Sequence, residues 1–335
     1  MFRRLFRAAA VAAATLFVTC SSLPAAAASQ DRTFDHVWII MMENQSFDIA
    51  LGRNRVDANG NILEPDTPYL NHLASTQGLA TLYFGVTHPS EPNYLATIAG
   101  DYFGVQNDND SCFAKPANEP GCNKVSAPNI VDSLESHGLS WGALMESMPS
   151  TGFLGGQYPG PAPRLYAQKH NPFVYFSDIV HSPSRLNKIR PMTKATLTEA
   201  VAKPANFEYL VPNQCDDMHG TTTCPTLDPL LKQGDATVKT LVSTITSAPT
   251  FTTRSAIFVV WDEDDYSSNF GCCDSLPALG GGHTVTIVVS KTSAGKRSAV
   301  PMNHYSLLKT IEQGFNLPLL GHSADPRIST LWDLF

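Results

Sequence analysis

Apolar residues run almost unbroken over His36–Met42 and again over Ser255–Trp261. Both runs are too short for typical helices and are rich in β-branched or aromatic side chains. Such runs predict strands buried on both faces of a parallel sheet. Further runs at 79–86, 139–145, 207–211 and 284–289 predict more strands. Helical spacing and end signals between them predict helices over 69–76, 92–99, 129–137, 229–246 and 304–315. Strands alternating with helices argue for an α/β fold, a mostly parallel sheet with helices on both faces. The Pro/Gly-rich stretch 149–164 reads as a long surface loop rather than a linker.

The N-terminus departs from this pattern. Arg3, Arg4 and Arg7 precede an uninterrupted apolar stretch over 8–18, and small residues lead up to Ser29. This predicts a secretory signal peptide over 1–28, a single mature domain over 29–335 and secretion. The apolar stretch falls well short of the ~20 residues that span a bilayer, so no transmembrane anchor is expected in the mature chain. Hydrophobic residues make up 43% of the chain and charged residues only 16%, with 23 Lys+Arg against 30 Asp+Glu. A well-filled core is expected, and a nucleic-acid partner held by a basic face is not. In an oxidising compartment, Cys112 with Cys122 and Cys215 with Cys224 read as loop-closing disulfides. The adjacent Cys272 and Cys273 either bridge each other or bond elsewhere.

Chemistry enters where the two strongest strands end. One runs into Glu43-Asn44, the other into Asp262-Glu263-Asp264-Asp265. Both deliver carboxylates to the carboxyl edge of the sheet, where open α/β folds bind ligands. Clustered carboxylates repel unless a cation or a shared proton relieves them, which points to a divalent metal. A third element is His88-Pro89-Ser90-Glu91-Pro92-Asn93, followed by an apolar helix pattern ending at Gly100. Pro92 suits the first turn, so Ser90 is expected at or beside the N-cap, among backbone N–H groups that stabilise an oxyanion. Position alone leaves two readings for Ser90, a capping serine or a metal-activated nucleophile.

Several ordered motifs resemble those of the bacterial phosphoesterase family of acid phosphatases and phospholipases C. They are 37–48 (VWIIMMENQSFD), 88–95 (HPSEPNYL), Tyr166 with His170-Asn171-Pro172-Phe173, and Pro212-Asn213 with Asp216-Asp217-Met218-His219. Gly234-Asp235, Trp261 to Asp265, and His304-Tyr305-Ser306 with Glu312 complete the set. The short form is most similar to the secreted acid phosphatase branch, some of whose members remove phosphate from phosphoinositides.

The resemblance implies an alkaline-phosphatase-like core and a phosphate-ester substrate. Ser90 would act as nucleophile and pass through a phosphoserine. Glu43, Asn44, Asp262 and Glu263, together with Ser90, would hold one divalent metal, Mg, Ca or Zn, with room for a second. His88, His170, His219 and His304 would supply positive charge and a proton for the leaving alcohol, and Asn93 and His283 would contact phosphate. Asp217 and Asp265 would ligate metal or orient a histidine. For a phosphoinositide headgroup, cations near Lys169 or Arg185 to Arg190 would attract the ligand. Two alternatives are a phospholipase C-type phosphodiesterase and a non-catalytic phosphate- or lipid-binding protein.

Overall fold

A computed structural model describes residues 34–52, 59, 65–114, 121–160, 162–273 and 280–335. The expected signal peptide lies outside them. The main strands are β1 (His36–Met42), β2 (Gly78–Phe84), β3 (Trp141–Glu146), β4 (Ile189–Met192), β5 (Phe207–Val211), β6 (Ser255–Trp261) and β7 (His283–Ser290). With two short strands, Arg297–Ser298 and Met302–Asn303, they form a nine-stranded sheet among the described residues. Its main path runs Arg297–Ser298, β2, β7, β6, β1, β5, β3, β4. β1 lies parallel to both β5 and β6, and β3 parallel to β4 and β5. Only β7 runs against its neighbours β2 and β6.

The apolar runs are buried on both faces because successive side chains point to opposite sides of a strand. Val37, Ile39 and Met41 enter one apolar cluster, and Trp38, Ile40 and Met42 enter the other. Helices α2 (Ser90–Ala99), α3 (Ile130–Ser136) and α6 (His304–Gly314) cover the first face. Helices α1 (Pro68–Thr76), α4 (Lys194–Ala202) and α5 (Leu227–Thr246) cover the second. The order of labels follows the chain, so each face receives helices from both halves of the sequence.

Sequence patterning places β1, β5 and β6 at their observed bounds and the five long helices within about two residues at each end. It misses β4 and α4, where Arg190 and Pro191 interrupt the apolar run and four polar residues follow within Thr193–Thr198. Ser90 is not the N-cap of α2. Pro89 takes that position with extended backbone, and Ser90 is the first helical residue. Gly100 ends α2 with φ 69°. Among its described residues, the stretch 149–164 is loop apart from the short strand Gln157–Tyr158.

Candidate active site

β1 and β6 are adjacent and in register, Met42 beside Trp261, so Glu43 and Asp262 emerge side by side. Backbone and side-chain bonds fix them there. Asp262 N donates to the Met42 carbonyl at 3.1 Å, and Asn44 N donates to Asp262 Oδ1 at 3.1 Å. Glu43 N donates to the Asp217 carbonyl at 2.8 Å, which ties in the loop after β5. The floor beneath the acids is backbone packed on backbone. A Cβ added at Gly85 would lie 2.8 Å from the carbonyl oxygens of Asp262 and Gly281, so this position excludes any larger residue.

The N-terminus of α2 faces these acids. Ser90 Oγ lies 3.1 Å from Glu43 Oε2 and 3.0 Å from Glu263 Oε1. One hydroxyl proton cannot serve two carboxylates, so one of these oxygen pairs lacks a hydrogen. Asp262 Oδ2 is buried without a hydrogen-bond partner among the described residues, and Glu43 Oε1 has the His170 ring 3.0 Å away. Burial and the neighbouring Glu43 and Glu263 push the Asp262 carboxyl well above the usual carboxylate range. Burial also pushes Glu263 up to about 7, against the opposing pull of His88. For Glu43, burial is outweighed by His170, Lys169 and His219, which together hold it well below that range. An orphaned oxygen, mutual repulsion and an all-oxygen donor set fit a hard divalent cation seated on Glu43, Asp262, Glu263 and Ser90 Oγ. The Asn44 side chain makes no hydrogen bond among the described residues.

Four histidines were expected to line this site, and the structure separates them. His170 is buried, with Nε2 3.0 Å from Glu43 Oε1 and Nδ1 3.5 Å from Asp217 Oδ2; burial pushes its pKa down. Asp217 Oδ1 accepts from His219 N at 2.7 Å, while its Oδ2 makes no hydrogen bond among the described residues. His219 Nδ1 donates to the Gly220 carbonyl at 2.7 Å, which leaves Nε2 as an acceptor 3.3 Å from Lys169 Nζ. Burial and Lys169 lower His219 to about 4. Glu43, His170 and His219 are the one set of three acidic, histidine or cysteine side chains among the described residues whose donor atoms all lie within 4.8 Å of one another.

The other two rings do not reach Ser90. His88 Nδ1 approaches Glu263 Oε2 at 2.5 Å and Nε2 approaches the Ser268 carbonyl at 3.4 Å, under a stacked Tyr266. Its ring is spent on the 263–268 loop, so His88 positions Glu263. The His304 ring bridges the Asp262 carbonyl, 2.6 Å from Nε2, and the Tyr83 hydroxyl, 3.0 Å from Nδ1. Fully buried and lowered to about 4 by that burial, it supports the backbone under the acids.

The two expected phosphate contacts are corrected likewise. Asn93 Oδ1 accepts from Val86 N and Thr87 N, and Nδ2 donates to the carbonyls of Thr87 and Pro89. All its polar capacity is used to clamp the 86–89 turn that delivers Ser90. His283 stacks on Phe47 and bonds the Thr81 carbonyl at 3.0 Å, so it packs β7 against β2. Asp264 organises its own turn, accepting from Tyr266 N, Ser267 Oγ, Ser268 N and Ser268 Oγ. Two more motif acids are structural: Asp235 accepts from Tyr69 N and Leu70 N at the start of α1, and Glu312 accepts from Leu320 N and bonds Ser323 Oγ.

Disulfides join Cys112 to Cys122, Cys215 to Cys224 and Cys272 to Cys273. Among the cations named from sequence, Arg185 is tied up by Asp132, Glu135 and Asp178 away from the site. Lys169 is different. Its Nζ lies 3.3 Å from Ser90 Oγ, 3.3 Å from His219 Nε2 and 2.8 Å from Asp108 Oδ2. Sequence reasoning gave neither Lys169 nor Asp108 a place at Ser90; the one signal was the position of Lys169 directly before the motif histidine.

The sheet order, the acid-tipped strands and the serine at a helix start define an α/β fold with a candidate hydrolytic site at the carboxyl edge of its sheet. A solved Vibrio parahaemolyticus protein described as belonging to the alkaline phosphatase superfamily superposes with a TM-score of 0.55 over 88% of this chain and 70% of its own, at 11% identity, so the two share the fold. A sequence profile described as the Phosphoesterase family matches residues 60–318, and the chain belongs to that family. A phosphatidylinositol-3-phosphatase of Mycobacterium tuberculosis is 30% identical over 98% of this chain and 95% of its own. A probable acid phosphatase of Kluyveromyces lactis is 27% identical over 88% of this chain, and a phosphate-repressible acid phosphatase of Penicillium chrysogenum 28% over 86%. The chain spans only 62% and 60% of those two fungal proteins.

Proposed function

We propose that this chain is a secreted acid phosphatase that hydrolyses phosphoric monoesters through Ser90. The observation that carries the reading is Ser90 Oγ held between Glu43 and Glu263 at the start of α2. Glu43, Asp262, Glu263 and Ser90 Oγ, with Asn44, would hold a divalent ion. When bound, that ion favours the ionised serine and offsets negative charge on the phosphoryl oxygens.

The chain's own groups do the rest. Glu43 and Glu263 fix Ser90 Oγ in one position, and His88 in turn fixes Glu263. Ser90 Oγ attacks phosphorus as the alcohol oxygen departs, giving a phosphoserine. In the first turn of α2 the Glu91 N–H is taken by Asp108 Oδ1 and Pro92 has none, so the Ser90 N–H is the backbone donor left for the phosphoryl group. Water then attacks phosphorus, releasing inorganic phosphate and restoring the serine hydroxyl. His219 Nε2, which accepts from Lys169 Nζ at 3.3 Å, faces the same space.

A single ion is the favoured count. A second cation on Glu43, His170 and His219 would face the Lys169 ammonium, which lies 3.3 Å from His219 Nε2. Unit like charges about 4 Å apart repel by ~4 kcal/mol at an effective dielectric of ~20, and a divalent ion doubles that. The near full-length similarity to a phosphatidylinositol-3-phosphatase makes a phosphoinositide headgroup the first natural substrate to assay. The three disulfides support an oxidising destination, and no helix among the described residues is long and apolar enough to cross a membrane.

The test is release of p-nitrophenol from p-nitrophenyl phosphate, with and without chelator, by the wild type and by Ser90→Ala. Turnover that needs metal and disappears in Ser90→Ala, with the thermal midpoint kept, is the expected result. Undiminished turnover in that variant would overturn the serine mechanism.

A further inference from the structure

Resting on the reading of Ser90 as nucleophile, we infer that Lys169 makes this a site for dianionic monoesters rather than monoanionic diesters. The ammonium has three protons and three neighbours, Asp108 Oδ2, Ser90 Oγ and His219 Nε2. Two of the three belong to the site, one being the oxygen that attacks phosphorus. A lysine recruited only to pair Asp108 would not need to extend its charge to the serine.

The anchoring is built rather than incidental. Gln168, the residue before it, is buried and clamped: its Oε1 accepts from Ser111 N at 2.7 Å and its Nε2 donates to the Leu154 carbonyl at 2.5 Å. His170, the residue after it, is wedged between Glu43 and Asp217 and stacked on Tyr94. Lys169 is thus held on both sides, with its side chain 17% exposed. Asp108 is fixed in turn by the Glu91 N–H, 3.0 Å from its Oδ1. Glu43 and the other acids beside Ser90 keep the ammonium charged despite its burial.

Charge balance then sets the substrate class. Glu43, Asp262 and Glu263 surround Ser90 with negative charge that one divalent ion does not fully offset. A diester brings one negative charge to this space and a monoester brings two. Among the described residues, Lys169 is the one lysine or arginine with a hydrogen bond to Ser90 Oγ. The second phosphoryl charge has this ammonium as its partner, so removing it penalises the monoester more.

The experiment compares kcat/KM for p-nitrophenyl phosphate and for bis(p-nitrophenyl) phosphate in the metal-loaded wild type, Lys169→Met and Lys169→Arg. Inorganic phosphate affinity of each protein is measured by titration calorimetry. The expected result for Lys169→Met is a fall in the monoester-to-diester ratio of at least roughly tenfold, about 1.4 kcal/mol, and weaker phosphate binding. Lys169→Arg keeps the charge and is expected to restore most of both. Equal losses on the two esters, or unchanged phosphate affinity, would reduce Lys169 to a structural partner of Asp108 and overturn the inference. Wild type that hydrolyses neither ester would instead overturn the phosphatase reading, and the inference with it. If Lys169→Met fails to fold, as judged by its thermal midpoint, the Lys169→Arg variant decides: a ratio lowered as far as diester preference in a folded, charged variant also refutes the assignment.

Discussion

Replacing Asp262 by Asn is expected to stabilise the metal-free protein and at the same time abolish its response to metal. Asp262 is fully buried beside Glu43 and Glu263, with Oδ2 unpaired. Two carboxylates about 4 Å apart repel by ~4 kcal/mol at an effective dielectric of ~20. Protonation and local relaxation remove much of that, which leaves a gain of ~1–2 kcal/mol for the neutral amide. Asn retains the acceptor for Asn44 N, now at 3.1 Å from Oδ1, and adds a donor toward the neighbouring carboxylates. The pH sign follows from the raised pKa values. A carboxyl whose folded pKa is raised binds more protons folded than unfolded, so stability falls as pH rises through that window. With Glu263 at about 7, metal-free wild type is expected to lose stability between roughly pH 4.5 and 7. A metal present at ~100 times its Kd adds ~2.7 kcal/mol to the wild type. In a domain of this size that is a rise of ~4 °C in Tm. Differential scanning fluorimetry at pH 5 and pH 8, with chelator and then with Mg, Ca or Zn, reads all of these quantities. A chelated Asp262→Asn protein less stable than chelated wild type, or an equal metal-induced shift in both, would refute the cation site.

Asn93→Ala leaves buried backbone groups of the 86–89 turn without partners and is expected to cost ~2–4 kcal/mol by urea denaturation, along with most turnover. Unchanged stability with a raised KM would return Asn93 to the substrate. Glu312, raised by burial to about 8, is expected to be protonated at pH 7, with the acid proton given to Ser323 Oγ and the other oxygen accepting from Leu320 N. Its raised pKa removes up to ~3 kcal/mol of stability between pH 4.5 and pH 7. Glu312→Gln reproduces the donor and acceptor, so it is expected to exceed wild type in stability at pH 7 and to match it near pH 4.5; equal destabilisation at both pH values would refute this.

The parts of the fold legible from sequence are those where one physical demand dominates. β1 and β6 are buried on both faces, so every position is apolar and the run marks its own ends. Arg190 and Pro191 hide β4 because an edge strand tolerates polar residues and a missing N–H on its open side. The site shows the same division. Glu43, Ser90, Asp262 and Glu263 are legible because a charged or hydroxyl residue directly after an apolar strand, or at a helix start, has few other reasons to be there. Asn93, His88, His304, His283 and Lys169 carry no such signature. Whether a polar side chain faces substrate or backbone depends on partners remote in sequence: Asp262 for His304, Thr81 for His283, Ser90 for Lys169. Three of the expected site histidines or amides instead satisfy carbonyls and N–H groups that bring the acids and the serine together. That is what a preorganised centre requires. Three carboxylates and a nucleophile gathered in a buried space repel one another, and the polar residues around them hold the geometry open until a cation and a phosphoryl group arrive.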